Sequence, residues 1–379
     1  MKKTLTALCV LGAFTGSAMA ADVTISGVVD TGLMYLYTSW DNKITDATEY
    51  QGSGSTHDWS MASGQNASTR IMIAGSEDLG NNTKVSFRLE NGFNSDTGEF
   101  GDADRLFNRE ASLSLHTQYG TVSFGRMGGV ASSAGTYDVV YATAEAFDGG
   151  DNYVFGLNYS DRYDNMVTYQ TPTVVGLQAT VQYSFQEDSV AGADQTEGKS
   201  STNRYASAAV TGSFGALNVV AAYEYQNFAT DEVKFPNRDD AHTYYIGGNY
   251  DCGFAKTFAL VQYYDGARNF GWIDWTNALD ITETKGYGMH LGTIFPVAAG
   301  QMTVGLYYNN AEVSSLRYDN KDEVDYYGVS ARYVYPLSKR TEVYAGAGYA
   351  YQNMNFGCPD SCEGTTEIVQ AYMGLTHKF

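Results

Sequence analysis

The chain has 379 residues, with 23 Lys and Arg against 43 Asp and Glu, for a formal charge of −20. That balance argues against a nucleic-acid partner, which needs a basic patch for phosphate, and favours attraction of cations to the surface. Tyr 31, Phe 18 and Gly 41 beside only Pro 5 describe many strands joined by tight turns, because aromatic residues suit strands and proline interrupts their ladders.

The segment from Met1 to Ala20 opens with Lys2 and Lys3, continues through an apolar stretch from about Leu5 to Phe14, and reaches Ala18, Met19 and Ala20 before Ala21. This pattern predicts a secretory signal peptide over residues 1–20, cleaved after Ala20, followed by a single domain over residues 21–379. Leu8 before Cys9 does not suit a lipoprotein cleavage site. Without Lys2 and Lys3 the formal charge becomes −22. No later stretch offers the roughly 18 uninterrupted apolar residues that a spanning helix needs, which excludes a helical membrane protein.

Sixteen strands are then predicted, over residues 23–39, 68–78, 83–93, 108–118, 121–126, 165–171, 176–186, 203–213, 216–225, 241–251, 254–265, 284–295, 301–310, 324–335, 340–352 and 365–379. Links within pairs are short, such as 79–82, 119–120, 214–215 and 252–253. Links between pairs, such as 40–67, 94–107, 127–164 and 187–202, are long and acidic. Short and long alternate throughout. In an up-and-down meander this places every short turn at one end and every long loop at the other, the arrangement of an all-β transmembrane antiparallel β-barrel. An even count leaves both chain ends on the short-turn side, where the last strand can pair with the first and remove both edges.

Strand interiors sort by side. In 83–93 the apolar face is Val85, Phe87 and Leu89, while Lys84, Ser86, Arg88 and Glu90 take the other. In 301–310, Met302, Val304, Leu306 and Tyr308 oppose Thr303, Gly305 and Tyr307. Charges keep to one side, as they must where a Lys or Arg in mid-bilayer costs roughly 2–4 kcal/mol. Tyr244, Tyr250, Tyr263, Tyr287, Tyr327, Tyr335 and Tyr349 near strand ends are candidates for interfacial girdles. Along the last strand, Val369, Ala371, Met373, Leu375, His377 and Phe379 share one side, and Ile368, Gln370, Tyr372, Gly374, Thr376 and Lys378 the other. A soluble edge strand packed on a core gives the same local pattern.

Cys358 and Cys362 are close enough in sequence for a local disulfide, leaving Cys252 over. His57, His116, His242, His290 and His377 belong to no recognisable nucleophile or metal arrangement, so neither enzymatic activity nor a metal or cofactor is expected.

The stretch Gly27-Val28-Val29-Asp30-Thr31-Gly32 resembles the first strand of the general diffusion porins of the Gram-negative outer membrane, in their betaproteobacterial branch. Residues 68–80, 84–93, 108–110 and 119–126 resemble that family's second to fifth strands, and Gly374-Leu375-Thr376-His377-Lys378-Phe379 resembles its close. The resemblance implies a homotrimer of sixteen-stranded barrels in the outer membrane, with lipid around each and a water-filled pore narrowed by an inward-folded third external loop. It also implies that Phe379 is the assembly signal read by the barrel-assembly machinery. The loop is then 127–164. Its acidic, glycine-containing stretch proposes Glu145, Asp148, Asp151 and, less directly, Asp138 for the constriction, with Gly149 and Gly150 permitting the turn. Residue-by-residue matching places Arg70, Arg109 and Arg162 on the facing wall. Alternation independently sends Arg70 and Arg88 to the lumen. Arg109 shares its parity with Leu113 and Leu115, so a bulge is expected before them. Val28 stands where some relatives carry a lumenal lysine.

The expected function is passive diffusion of small hydrophilic solutes and ions, with a weak cation preference drawn from the acidic loops. A substrate-selective channel, and a barrel adhesin or receptor without an open pore, are the alternatives.

Overall fold

The computed structural model describes residues 22–43, 52–133, 135–185, 202–228, 240–267, 281–315, 321–356 and 362–379. The proposed signal peptide, Cys358 and the side chain of Cys362 lie outside the described residues.

The strands are β1 (Asp22–Lys43), β2 (Gly52–Ser63), β3 (Arg70–Gly80), β4 (Thr83–Gly92), β5 (Glu110–Thr117), β6 (Gly120–Gly128), β7 (Arg162–Gln170), β8 (Leu177–Ser184), β9 (Arg204–Phe214), β10 (Leu217–Asn227), β11 (Ala241–Asp251), β12 (Lys256–Asp265), β13 (Ile281–Val297), β14 (Gly300–Ser315), β15 (Lys321–Pro336), β16 (Thr341–Phe356) and β17 (Cys362–Lys378). From β3 onward each pairs antiparallel with the next, and β17 closes on β1 from Val28↔Lys378 to Lys43↔Glu363. At the seam the Phe379 N–H donates to the Gly27 carbonyl at 3.0 Å and the Gly27 N–H to the Phe379 carbonyl at 3.1 Å. Closure leaves no lipid-facing edge along the seam, where each unpaired backbone group would cost several kcal/mol.

The cylinder has sixteen positions, and the second is split. The lower part of β1 pairs with β3 from Asp22↔Ser76 to Val28↔Arg70, and its upper part pairs with β2 from Thr31↔Ser63 to Asn42↔Gly52. The long first connection expected over 40–67 therefore contains a strand of its own, and β1 runs on to Lys43. The wall is uneven in height. β13 to β17 have 16 or 17 residues each, whereas β4 to β8 have 8 to 10.

Side chains sort as the period of two requires. Outward Val261, Leu291, Leu306, Val329 and Met373 are exposed, while inward Gln182, Thr243, Gln262, Thr303, Gln370 and Thr376 are buried. This inside-out pattern, polar within and apolar outside, suits a wall standing in lipid. All seven candidate girdle tyrosines are exposed. Neighbouring rings form runs across strands: Tyr223 to Tyr244 at 5.0 Å and Tyr244 to Tyr263 at 6.2 Å, then Tyr287 to Tyr308 at 6.0 Å and Tyr308 to Tyr327 at 5.1 Å.

Between β6 and β7 the chain turns into the bore, carrying a short helix, α1 (Tyr141–Ala144), and a 3-10 turn (Asn152–Val154). Val130, Val140, Tyr141, Ala144, Phe155 and Leu157 of this segment pack on Tyr245, Leu260, Tyr307 and Tyr326 of the wall. Among the described residues the largest buried apolar cluster thus lies inside the barrel and glues the loop to one side.

Candidate pore constriction

Polar side chains of the wall from β11 to β17 fasten the inner loop along its length. Asn249 of β11 donates to the Thr143 carbonyl at 2.7 Å, and Asn309 of β14 to the Gly156 carbonyl at 2.8 Å. The Tyr326 hydroxyl of β15 donates to the Val154 carbonyl at 2.7 Å, and the Tyr153 N–H donates to Gln370 of β17 at 2.9 Å. The Ala146 N–H donates to Nε2 of His290 at 3.2 Å. A loop buried without such partners would leave its backbone groups unsatisfied.

The loop leaves an open space of ≈ 580 Å³ against the short side of the wall, lined by Arg70, Arg88, Glu90, Arg109, Arg332, Phe147, Asp148, Gly149, Gly150, Asn152 and the segment 64–68. Three of the four predicted basic residues line it. Glu90 lies at their centre: Arg88 reaches it at 2.5 Å, Arg109 at 2.5 Å and Arg70 at 3.6 Å. Arg88 also stands 3.4 Å from Glu110, which in turn accepts from the N–H and hydroxyl of Thr136 at the root of the loop. Arg109 arrives without the bulge expected before Leu113. β5 begins only at Glu110, so Arg109 is outside the strand and free of its alternation.

Arg162 is not among the lining residues. It opens β7 beside Arg126, which donates to the Arg162 carbonyl at 3.1 Å and to Asp164 at 2.7 Å.

Of the four acidic candidates only Asp148 lines the space. The other three are buried, each for a physical reason. Glu145 is the inner fastening of the loop tip: its Oε2 accepts N–H bonds from Phe147, Gly149 and Gly150, all at 2.9 Å, and its Oε1 accepts the Tyr307 hydroxyl at 2.7 Å. Asp148 (φ 54), Gly149 (φ 109) and Gly150 (φ 94) all take left-handed backbone, so the glycines do supply the turn. Asp151 accepts the Tyr372 hydroxyl at 2.5 Å and Gln370 at 3.2 Å, with Arg332 at 3.9 Å. Burial raises its pKa to about 6, with Arg332 opposing. Asp138 accepts the Tyr141 N–H at 3.3 Å, and burial holds its carboxyl well above the usual range. For Asp148, enclosure raises the pKa, the Glu145 charge adds to this, and the Arg70 guanidinium opposes it.

Arg332, absent from the candidates, lines the space with its guanidinium 4.8 Å from the Phe147 ring centroid. The signal for it was present: Ser330 and Arg332 share the inward parity of β15, opposite Val329. The histidines are engaged in the wall, as in Tyr35 to His57 at 2.8 Å, Ser86 to His116 at 2.7 Å and Tyr223 to His242 at 2.8 Å. Among the described residues no group of three His, Cys, Asp or Glu could hold a metal ion.

A family model described as Gram-negative porin matches residues 4–355. The chain is 29% identical over 412 aligned residues to an outer membrane porin protein of Bordetella pertussis, covering all of both chains. It is 30% identical over 355 residues to outer membrane porin protein 32 of Delftia acidovorans, covering 92% of this chain and 89% of that one. Among solved structures, the anion-selective porin from Comamonas acidovorans superposes with a TM-score of 0.63 at 21% identity, covering 95% of this chain and 100% of that one. The trimer form of OmpT of Vibrio cholerae superposes with a TM-score of 0.57 at 19% identity, covering 93% and 99%.

Proposed function

Because the chain belongs to the Gram-negative porin family, we propose that its barrel passes small hydrophilic solutes and ions by passive diffusion and favours anions at its narrow passage. It is an outer-membrane channel; the proposal concerns what the channel selects and how. The observation that carries the preference is the lining: the guanidiniums of Arg70, Arg88, Arg109 and Arg332 against the carboxylates of Glu90 and Asp148. Glu90, touched by three of those four, offsets one of their charges, so the lining keeps more guanidiniums than carboxylates. An ion squeezing past meets a positive field where low-dielectric walls screen it least.

The overall charge of −20 favours cations and led to that expectation, but acidic residues such as Asp96, Glu99 and Asp102 sit on the connection between β4 and β5 and do not line the passage. Charges at the narrowest point weigh more than charges at the mouth, which act through water and salt. Transport needs no covalent step and no cofactor.

Reversal potentials across planar bilayers in a salt gradient test the reading. A preference for anions is expected, reduced in Arg332→Ala; a clear cation preference in the unmodified channel would sink it. The assembly is proposed to be a homotrimer, in line with the trimer form of OmpT of Vibrio cholerae. Light scattering in detergent that gives one or two protomers per particle would rule that out. Phe379 is assigned as the mark read by the barrel-assembly machinery, an assignment that an undiminished outer-membrane yield of Phe379→Ala would refute.

A further inference from the structure

The split in the second wall position coincides with the passage. β1 faces Ser63 with Thr31 and Arg70 with Val28, so only Val29 and Asp30 span an interval that the chain fills with the six residues Gly64 to Thr69. Four residues are surplus, and the segment bends into the bore, where residues 64 to 68 line the same space as the loop tip. Gly64 begins the bend at φ +73, left-handed backbone that a side chain would strain.

One buried carboxylate holds the segment. Asp30 accepts the Gln65 N–H at Oδ1 (3.1 Å) and the Ala67 N–H at Oδ2 (3.2 Å). Its backbone carbonyl accepts the Gly64 N–H at 3.1 Å and the Thr69 hydroxyl at 2.9 Å. The same carboxylate is fixed to the tall wall by the hydroxyls of Tyr344 at 2.7 Å and Thr376 at 2.6 Å. Hydrogen bonds from backbone donors to an ionised acceptor are roughly twice as strong as neutral ones, so Asp30 is a firm anchor. On its lumenal side the segment meets the rest of the lining. The Gln65 carbonyl accepts from Arg332 at 3.3 Å and from Asn152 of the inner loop at 3.4 Å, and the Ser68 carbonyl accepts from Arg70 at 2.7 Å. It therefore touches guanidiniums from two sides of the bore.

We propose that Gly64 to Thr69 is a second constriction element, positioned by Asp30, that sets the cross-section and ion preference of the passage together with the tip of the inner loop. The proposal rests on the reading of the barrel as an open pore. Ser68, exposed beside Arg70, is its specificity-determining position, and Asp30 its positioning residue.

Full-length channels reconstituted in planar bilayers test it. Ser68→Glu places a carboxylate at the passage without touching a strand, and is expected to move the cation-to-anion permeability ratio toward cations by about twofold or more. Asp30→Asn replaces one acceptor oxygen by a donor facing other donors, and is expected to raise single-channel conductance as the segment loosens. Channels of normal conductance whose reversal potential is unmoved by Ser68→Glu overturn the proposal, whatever the folding of the Asp30 variant. Absence of any conductance in the unmodified protein would instead overturn the pore reading beneath it.

Discussion

At the scale of the residue, the acidic run near the loop tip was legible as a charge cluster but not as a division of labour. Glu145 and Asp148 stand three apart in sequence, yet Glu145 is spent on three backbone N–H groups and Asp148 faces the passage. Alternation assigns sides only within strands; in a loop, which carboxylate turns inward depends on left-handed residues that put successive N–H groups around one acceptor. The same limit hid Arg332 for the opposite reason, since its strand parity was readable but no motif drew attention to it. Asp148 yields a pH prediction. Its pKa is raised, so acidification from about pH 7 to about pH 4 should neutralise it before an ordinary aspartate and move the permeability ratio further toward anions. Asp148→Asn should show a smaller shift over this range, the remainder belonging to Asp151, whose pKa of about 6 lies in the same window beside Arg332. A variant that keeps the full titration assigns the effect elsewhere.

At the scale of the element, most strand bounds followed from period-two sorting, and β11 matches its expected span end to end. β2 did not, because Gly-Ser-Gly-Ser-Thr-His-Asp-Trp-Ser-Met-Ala-Ser carries too few apolar residues to show a face. It is a strand because the upper edge of β1 offers backbone groups that must be paired, a tertiary cause that composition does not record. Elsewhere, pairing positions side chains that neither strand could hold alone. Tyr344 lies opposite Gly374 and Tyr372 opposite Gly346, each ring lying over the other strand's glycine. The two hydroxyls then reach Asp30 and Asp151, so one pair of strands anchors both the inner loop and the carboxylate that holds Gly64 to Thr69. Gly374→Val would put its side chain where the Tyr344 ring lies. The expected cost is about 1–3 kcal/mol, visible as a lower unfolding temperature of the barrel on heated gels; an unchanged transition would show that Tyr344 can move without loss.

At the scale of the whole molecule, the meander and its closure were readable from alternating link lengths, whereas the uneven wall height was not. Lipid sorts side chains only within its own thickness, so the upward extension of β13 to β17 leaves no apolar stripe to count. The proposed passage also divides charge by place, with Asp96, Glu99 and Asp102 on the connection from β4 to β5 and four arginines in the lining at its waist. The two should part with ionic strength. At about 0.01 M salt the screening length is about 30 Å and the mouth is felt throughout, while at 1 M it is about 3 Å and only the waist counts. Anion preference is accordingly expected to rise with salt, and a steady fall would contradict the division.

The surplus between β2 and β3 is four residues, an even number, and sidedness along a strand repeats every two. Losing four codons there should straighten the second position into one continuous strand with every downstream side chain still facing its own solvent. Losing one or three should turn Arg70 toward lipid and Ile71 toward water. The calibre of this channel is therefore open to change by insertion and deletion, in even steps, behind a wall that stays sealed.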